Sequence, residues 1–228
     1  MEMDNTVANK DSQEVKSFFD GYASDFDSIY GHTDKRGPID KLADKWFRKV
    51  MVLRFEETLK RSVNPAIKSI IDIGCGPGLY CVEFLKQDKE VMAIDLADNM
   101  LSIAKGHVTK HANDKADKIT YLHADYLEYN FDKKYDAACL MGLFDYIKDP
   151  VALFEKLKKD INKEVYASFP KDGGFLAWQR KVRYKMRNCP LYLYTLEDIK
   201  SIMHKAGLDG KYEIVDCERG HFVKVDMS

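Results

Sequence analysis

From Ile70 onward the chain alternates short apolar runs with helix-length polar stretches: "IIDI", "VMAID" from Val91, "ITYLHAD" from Ile119, "YDAACLM" from Tyr135 and "EVYASFP" from Glu164. Short apolar runs bounded by turn residues read as buried strands, and their alternation with helices predicts a parallel sheet covered on both faces. The helices are predicted over Pro77–Gln87, Ala97–Ala112 and Pro150–Lys159, the last opening on a proline suited to a first helical turn. Upstream, "DSQEVKSFFDGYASDFDSIY" and "IDKLADKWFRKVMVLRFEETLKR" read as two leading helices, the second with Leu42, Trp46, Val50 and Leu53 on one stripe. Toward the C-terminus Thr195 offers a capping acceptor for "LEDIKSIMHKAG", which carries Ile199, Ile202 and Met203 at helical spacing and Gly207 as a stop. The closing "YEIVDCERGHFVKVDM" alternates like two strands joined around Arg219 and Gly220. No internal repeat interrupts this pattern.

One stretch carries more than a strand needs. "SIIDIGCGPGLY" places Gly74, Gly76 and Gly78 at alternate positions directly after the first apolar run. Side-chain-free backbone at the carboxyl end of a parallel strand lets amide groups approach a ligand closely, and the next helix points its positive N-terminus at the same place. A tight turn alone would also use glycine, so spacing has to decide. A dinucleotide fingerprint needs its third glycine where Leu79 stands, and no Gly-Lys-Ser/Thr follows as a phosphate loop requires. Asp95, closing the second run, stands where an acid accepts from ribose hydroxyls, its competing role being the N-cap of "LADNMLSIAK". Asp125 follows the third run, where a carboxylate can accept from an exocyclic amine.

Composition narrows the setting. The 228 residues carry Lys+Arg 36 against Asp+Glu 37, so overall charge gives no argument for nucleic acid or a membrane surface, and any charged partner has to be met locally. Five cysteines without a C-x-x-C pair favour reduced thiols over a disulfide framework. No signal-like leader and no long uncharged apolar segment is present, which makes a cytoplasmic setting the expectation. The six histidines are scattered, His123 reads as part of its strand, and no metal is expected.

The ordered motifs Asp72 to Gly78, Asp95 in "VMAIDLADNML", Asp125 in "HADYLEYNF" and the segment "KYDAACLMGLFDYI" resemble the class I S-adenosylmethionine-dependent methyltransferases over roughly Ile70 to Pro170. The resemblance implies an α/β, Rossmann-like doubly wound fold: a mostly parallel seven-stranded sheet with an antiparallel C-terminal strand, N-terminal helices and a lid insert. It implies one methyltransferase domain over 1–228, with a helical cap at 1–65, a cofactor-binding core at 66–169, a basic lid at 170–194 and a C-terminal helix and strands at 195–228. S-adenosyl-L-methionine is the implied cofactor. Its implied contacts are Asp72, Gly74, Cys75, Gly76, Gly78, Asp95, Leu96, Met100, Asp125, Tyr126 and Met141. "FFDGYASDFDSIY" is similar to the entry helix of small-molecule members, which adds Tyr22 and Tyr30. Aromatic packing onto the core explains those two tyrosines equally well.

The acceptor side is expected to come from the loop "GLFDYIKDP", where Asp145 and Tyr146 stand just beyond the fourth strand, placed to orient or deprotonate an acceptor. Asp145 also suits capping of the following turn. The Asn/Asp-Pro-Pro-aromatic motif of N6-amino methylating members is absent here, which argues against nucleic-acid amines. This loop, the "ASFP" and the basic insert after it resemble magnesium-protoporphyrin O-methyltransferases, although those usually have histidine where Asp145 stands.

Between Pro170 and Thr195, Phe175, Trp178, Val182 and Met186 form an apolar stripe, while Arg180, Arg183 and Arg187 recur on another face. Over the carboxyl edge of a sheet such an amphipathic lid would let Arg180 and Arg183 hold an acceptor's carboxylate or phosphate, though a solvated helix face looks the same in sequence. The leading expectation is methyl transfer to a small, acidic acceptor by in-line displacement. The alternatives are a nicotinamide oxidoreductase, against which the glycine spacing speaks, and a non-catalytic cofactor-binding or RNA/protein-interaction module using the basic 171–187 helix.

Overall fold

The computed structural model describes residues 52–173, 190–218 and 220–228. Tyr22, Tyr30, the residue 42–50 part of the leading stripe, Arg180, Arg183 and the lid's amphipathic stripe lie outside them. The described chain opens with helix α1 at residues 52–62. There follow β1 (Ser69–Ile73), α2 (Leu79–Lys86), β2 (Glu90–Asp95), α3 (Asp98–His111), a 3₁₀ turn at Asn113–Lys118 and β3 (Ile119–His123). Then come β4 (Tyr135–Leu140), α4 (Pro150–Asp160), β5 (Ile161–Pro170), α5 (Leu196–Lys205), β6 (Tyr212–Asp216) and β7 (Gly220–Asp226).

The seven strands lie in the order β3-β2-β1-β4-β5-β7-β6. The first five are mutually parallel, and β7 runs antiparallel to both β5 and β6. The chain winds outward from β1 in one direction through β2 and β3 and in the other through β4 and β5, so the crevice beyond the carboxyl ends of β1 and β4 is the topological switch point where ligands bind. The expected doubly wound sheet with one reversed C-terminal strand is what forms.

Alternation along the central strands divides the core into two layers. Ile70, Ala137, Cys139, Tyr166 and Phe222 face one side, where Phe84, Leu85, Leu101 and Val108 of α2 and α3 cover them together with Leu53 and Leu59 of α1. Ile71, Ile73, Ala138, Val165, Ala167, Phe169 and Val223 face the other, beneath Leu153, Phe154 and Leu157 of α4 and Ile199 and Met203 of α5. Being covered on both faces is why these strands read as continuous apolar runs. Among the described residues, no helix is long and apolar enough to cross a membrane.

Two local readings shift. α2 starts at Leu79, two residues later than expected, because Gly76 and Gly78 hold φ values of 51° and 74° that a right-handed helix cannot include. α4 is capped by Asp149, its side chain accepting from the N–H groups of Val151 and Ala152. The β6–β7 turn falls at Cys217 and Glu218, with φ 63° at Glu218, so Gly220 already belongs to β7. The cap of α5 is as read, with Thr195 and Asp198 forming a reciprocal capping box.

Candidate functional site

The turn after β1 is held from three sides. The N–H groups of Gly74 and Cys75 donate to the Ile94 carbonyl at 2.9 and 3.2 Å, and that of Gly78 donates to the Cys75 carbonyl at 3.0 Å. Asp95, at the end of β2, accepts from Gly76 N at 2.8 Å through Oδ2 and from Ala97 N at 2.9 Å through Oδ1. One carboxylate therefore fixes both loops that border the crevice while keeping lone pairs for a further donor. The cap position of α3 is held by Ala97, so Asp95 is not the helix cap. Burial raises its pKa, with the Ala97 and Gly76 amides working against that rise.

Space and polarity suit an extended polar ligand. Among the described residues a Cβ on Gly76 would meet nothing within 4 Å, whereas one on Gly78 would come within 2.7 Å of Ala104 Cβ. Gly76 is thus clear of the other described residues, and Gly78 is pressed against α3. The N-terminus of α2 has no side-chain cap and no acid in its first turn, so its positive end is not neutralised by a carboxylate of its own first turn. The described residues contain no group of three His, Cys, Asp or Glu arranged for a metal.

Beneath the loop lies a feature the sequence did not announce. The Asp72 carboxylate is buried, with Cys81 Sγ donating to it at 3.2 Å and the Cys139 thiol on its other side. Burial pushes Asp72 up to about 7, opposed by the two thiols and reinforced by the charge of Asp95. Cys81, beside the Cys75 thiol and enclosed, and Cys139, enclosed beside Asp72, both lie well above the ordinary thiol range. Such thiols are neutral donors rather than nucleophiles.

The Asp72 shift gives a stability prediction with a definite sign. Between the ordinary carboxyl value of 3.8 and about 7, the unfolded chain loses this proton while the native chain keeps it. The unfolded state is thereby favoured as pH rises through that window, by about 4 kcal/mol at most, and the loss is complete above it. Asp72→Asn removes the buried charge and is expected to stabilise the fold more at pH 8 than at pH 5. Urea unfolding at both values checks this; equal gains, or a loss at pH 8, would contradict the assignment.

The second wall is the loop after β4. Gly142 N donates to Ser168 Oγ at 2.8 Å, and Leu143 Cδ1 lies 3.1 Å from where a Cβ on Gly74 would stand, so this loop touches the glycine turn. Residues 190–194 staple it from outside: Tyr192 N donates to the Asp145 carbonyl at 2.8 Å, and the Tyr194 hydroxyl lies 3.2 and 3.1 Å from the Phe144 and Ile147 carbonyls. Asp145 is buried and Tyr146 partly so. Tyr194 N and Asp172 N also pair with the Pro170 and Tyr194 carbonyls, which brings residues 170–172 alongside Tyr194.

The remaining expected contacts divide. Leu96 lies beside Asp95 with its carbonyl 2.9 Å from His123 Nε2, Met100 is buried against Ala97, and Asp125 turns its carboxylate back onto Leu127 N at 2.9 Å. Met141 continues from β4 with its sulfur 3.8 Å from the Thr58 hydroxyl. Tyr126 is different: its ring is in the core and its hydroxyl donates to Asp160 at 2.9 Å, so only its backbone is left to border the crevice.

Arg54 was missed. From α1 it extends a guanidinium nitrogen to 3.9 Å from where a Cβ on Gly142 would lie, bringing positive charge to the β4 end of the crevice. The available signal was its place in the inward stripe Arg54–Thr58–Ser62, whose last two members are fully buried.

An open sheet with this strand order, a glycine turn clasped by the acid of the next strand, and a reversed final strand together define a Rossmann-like methyltransferase architecture. Residues 41–212 match the family model described as a methyltransferase domain, and the chain belongs to that family. Among curated proteins it is 26% identical over 133 residues to the ubiquinone biosynthesis O-methyltransferase of Hydrogenovibrio crunogenus, covering 54% of this chain and 53% of that protein. The chain thus spans about half the length of that relative. Among solved structures it is similar to magnesium protoporphyrin IX methyltransferase from Synechocystis with bound SAH, at TM-score 0.73, 16% identity and coverage of 94% of this chain and 98% of that one. It is also similar to a Haemonchus contortus phosphoethanolamine N-methyltransferase, at TM-score 0.62 and 21% identity, covering 90% of this chain and 45% of that one. At these identities the structural likeness concerns the fold.

Proposed function

We propose that the chain transfers a methyl group from S-adenosylmethionine to a small, acidic organic acceptor by in-line displacement. The observation that carries this reading is the clasp of Gly76 by Asp95, which joins the two cofactor loops and leaves Gly76 clear of the other described residues. The backbone of Gly74, Cys75, Gly76 and Gly78 would line the cofactor's amino-acid end, with Arg54 near its carboxylate and Met141, Tyr22 and Tyr30 around the sulfur. Asp72 would support that end from beneath the loop. Asp95 would accept from the ribose, and Leu96, Met100, Asp125 and the Tyr126 backbone would border the adenine.

When bound, the cofactor supplies an activated methyl group on a sulfonium. The chain's own task is then alignment, exclusion of water and removal of the acceptor's proton. Asp145 and Tyr146 would orient the acceptor and take that proton. The relatives named for O-methylation favour a hydroxyl acceptor over an amine. Arg180 and Arg183 would hold the acceptor's carboxylate or phosphate through paired hydrogen bonds.

A panel of carboxylated phenols and phosphorylated metabolites, screened for S-adenosylhomocysteine formation, tests this reading. With the active acceptor, Arg180→Ala or Arg183→Ala is expected to lower kcat/KM about tenfold or more while cofactor affinity stays within about twofold, and lysine should rescue only in part. A neutral acceptor, or full turnover in both alanine variants, would remove the acidic-acceptor assignment.

A further inference from the structure

The polar backbone groups of the glycine turn are nearly all satisfied within the turn or by β2. The N–H groups of Gly74, Cys75, Gly76 and Gly78 have the partners given above, Pro77 has no N–H, and the Gly78 carbonyl accepts from Val82 N at 3.1 Å inside α2. The Pro77 carbonyl is the exception that reaches outside. It accepts from His107 Nδ1, on α3, at 2.8 Å. A carbonyl can only accept, so Nδ1 carries the proton whether the ring is neutral or charged.

The position of this bond gives it a consequence. His107 stands three residues after Ala104 on α3, so both lie on the same face of that helix. Ala104 is the residue against which Gly78 is pressed, with only 2.7 Å available to a Cβ. Close packing sets how near the turn lies to α3, and the directed hydrogen bond sets how the Pro77–Gly78 peptide is rotated. That rotation fixes Gly78 at φ 74° as the cap of α2, whose N-terminus carries no side-chain cap.

We propose that His107 is a positioning residue for the cofactor, holding the glycine turn in its binding shape by donating from Nδ1 to the Pro77 carbonyl. Without that donor the carbonyl turns to water and the peptide plane rotates, so the α2 amides lose their aim. The inference rests on S-adenosylmethionine as the cofactor, and its test separates the two.

His107→Phe keeps a flat ring and removes the donor, whereas His107→Asn keeps a donor near the position of Nδ1 and removes the ring. Calorimetry with S-adenosylhomocysteine is expected to give a Kd about tenfold weaker for the Phe variant and within about threefold of wild type for the Asn variant. Melting temperatures should not follow that order, because the smaller Asn side chain leaves more of the packing unfilled. Wild-type affinity in the Phe variant, equal weakening in both, or affinity losses that track melting temperature would overturn the positioning role alone. A wild-type chain that does not bind S-adenosylhomocysteine would overturn the cofactor assignment and this role with it.

Discussion

Gly78→Ala is expected to destabilise the fold by about 2–5 kcal/mol and to weaken cofactor binding at least about thirtyfold, from two costs that add. The residue holds φ 74°, a left-handed conformation that costs an L side chain about 1–2 kcal/mol. Its new methyl would also stand 2.7 Å from Ala104 Cβ and 3.1 Å from Ala104 Cα, and the second of these is backbone that cannot swing away. Either α3 moves or the turn lifts from it, and a lifted turn no longer aims the α2 amides. Gly76→Ala is the informative comparison. It shares the positive φ, 51°, but a Cβ there meets nothing within 4 Å among the described residues, so the backbone term of about 1–2 kcal/mol is the cost expected. Urea unfolding of the two variants should therefore separate them clearly. Equal stability losses would mean that Gly78 is not pressed against α3.

Asp95→Asn is expected to weaken S-adenosylhomocysteine binding at least as much as a lost charge-assisted bond, about 1.5–3 kcal/mol or ten- to hundredfold. The substitution keeps size and one acceptor, yet it cannot satisfy the site. Oδ1 and Oδ2 each accept from a backbone N–H, of Ala97 and Gly76, and an amide offers only one oxygen. Whichever way it turns, an NH₂ group confronts an N–H, and one of the two loops is pushed off. The raised pKa of Asp95 adds a pH dependence, because the bonds it accepts need the carboxylate. Affinity should fall on acidification, sooner than an ordinary aspartate would give, and the Asn variant should lack this dependence. Calorimetric titrations at pH 5 and pH 8 measure it. A flat wild-type profile with a sloping variant would place the titrating group elsewhere.

How much of this was legible in the sequence depended on distance along the chain. Strand positions, the switch point and the acids at the strand ends follow from local pattern, since Asp72, Asp95 and Asp125 each sit in or just after an apolar run. The Thr195 cap is equally local, its partner Asp198 lying three residues on. What failed to show were contacts between segments. His107 meets Pro77 across 30 residues, and nothing in "IAKGHVTKH" marks one histidine as an anchor. Asp145 and Asp149 are the same residue type in one loop, and only the path of the chain decides that Asp149 caps α4 while Asp145 is buried with its carbonyl accepting from Tyr192 N. The apolar run puts the start of β5 at Glu164, yet pairing with β4 begins at Ile161. Tyr126 reads as a site residue from its neighbour Asp125 and is drawn into the core by Asp160, 34 residues away.

The most direct measurement is isothermal calorimetry of the wild-type chain against S-adenosylmethionine, S-adenosylhomocysteine and nicotinamide dinucleotides, repeated with Asp95→Ala. The account predicts one site per chain for the sulfonium and its thioether product, no heat from the dinucleotides, and at least about tenfold weaker binding in the variant with an unchanged circular dichroism spectrum. Tight dinucleotide binding without a response to S-adenosylmethionine would contradict it.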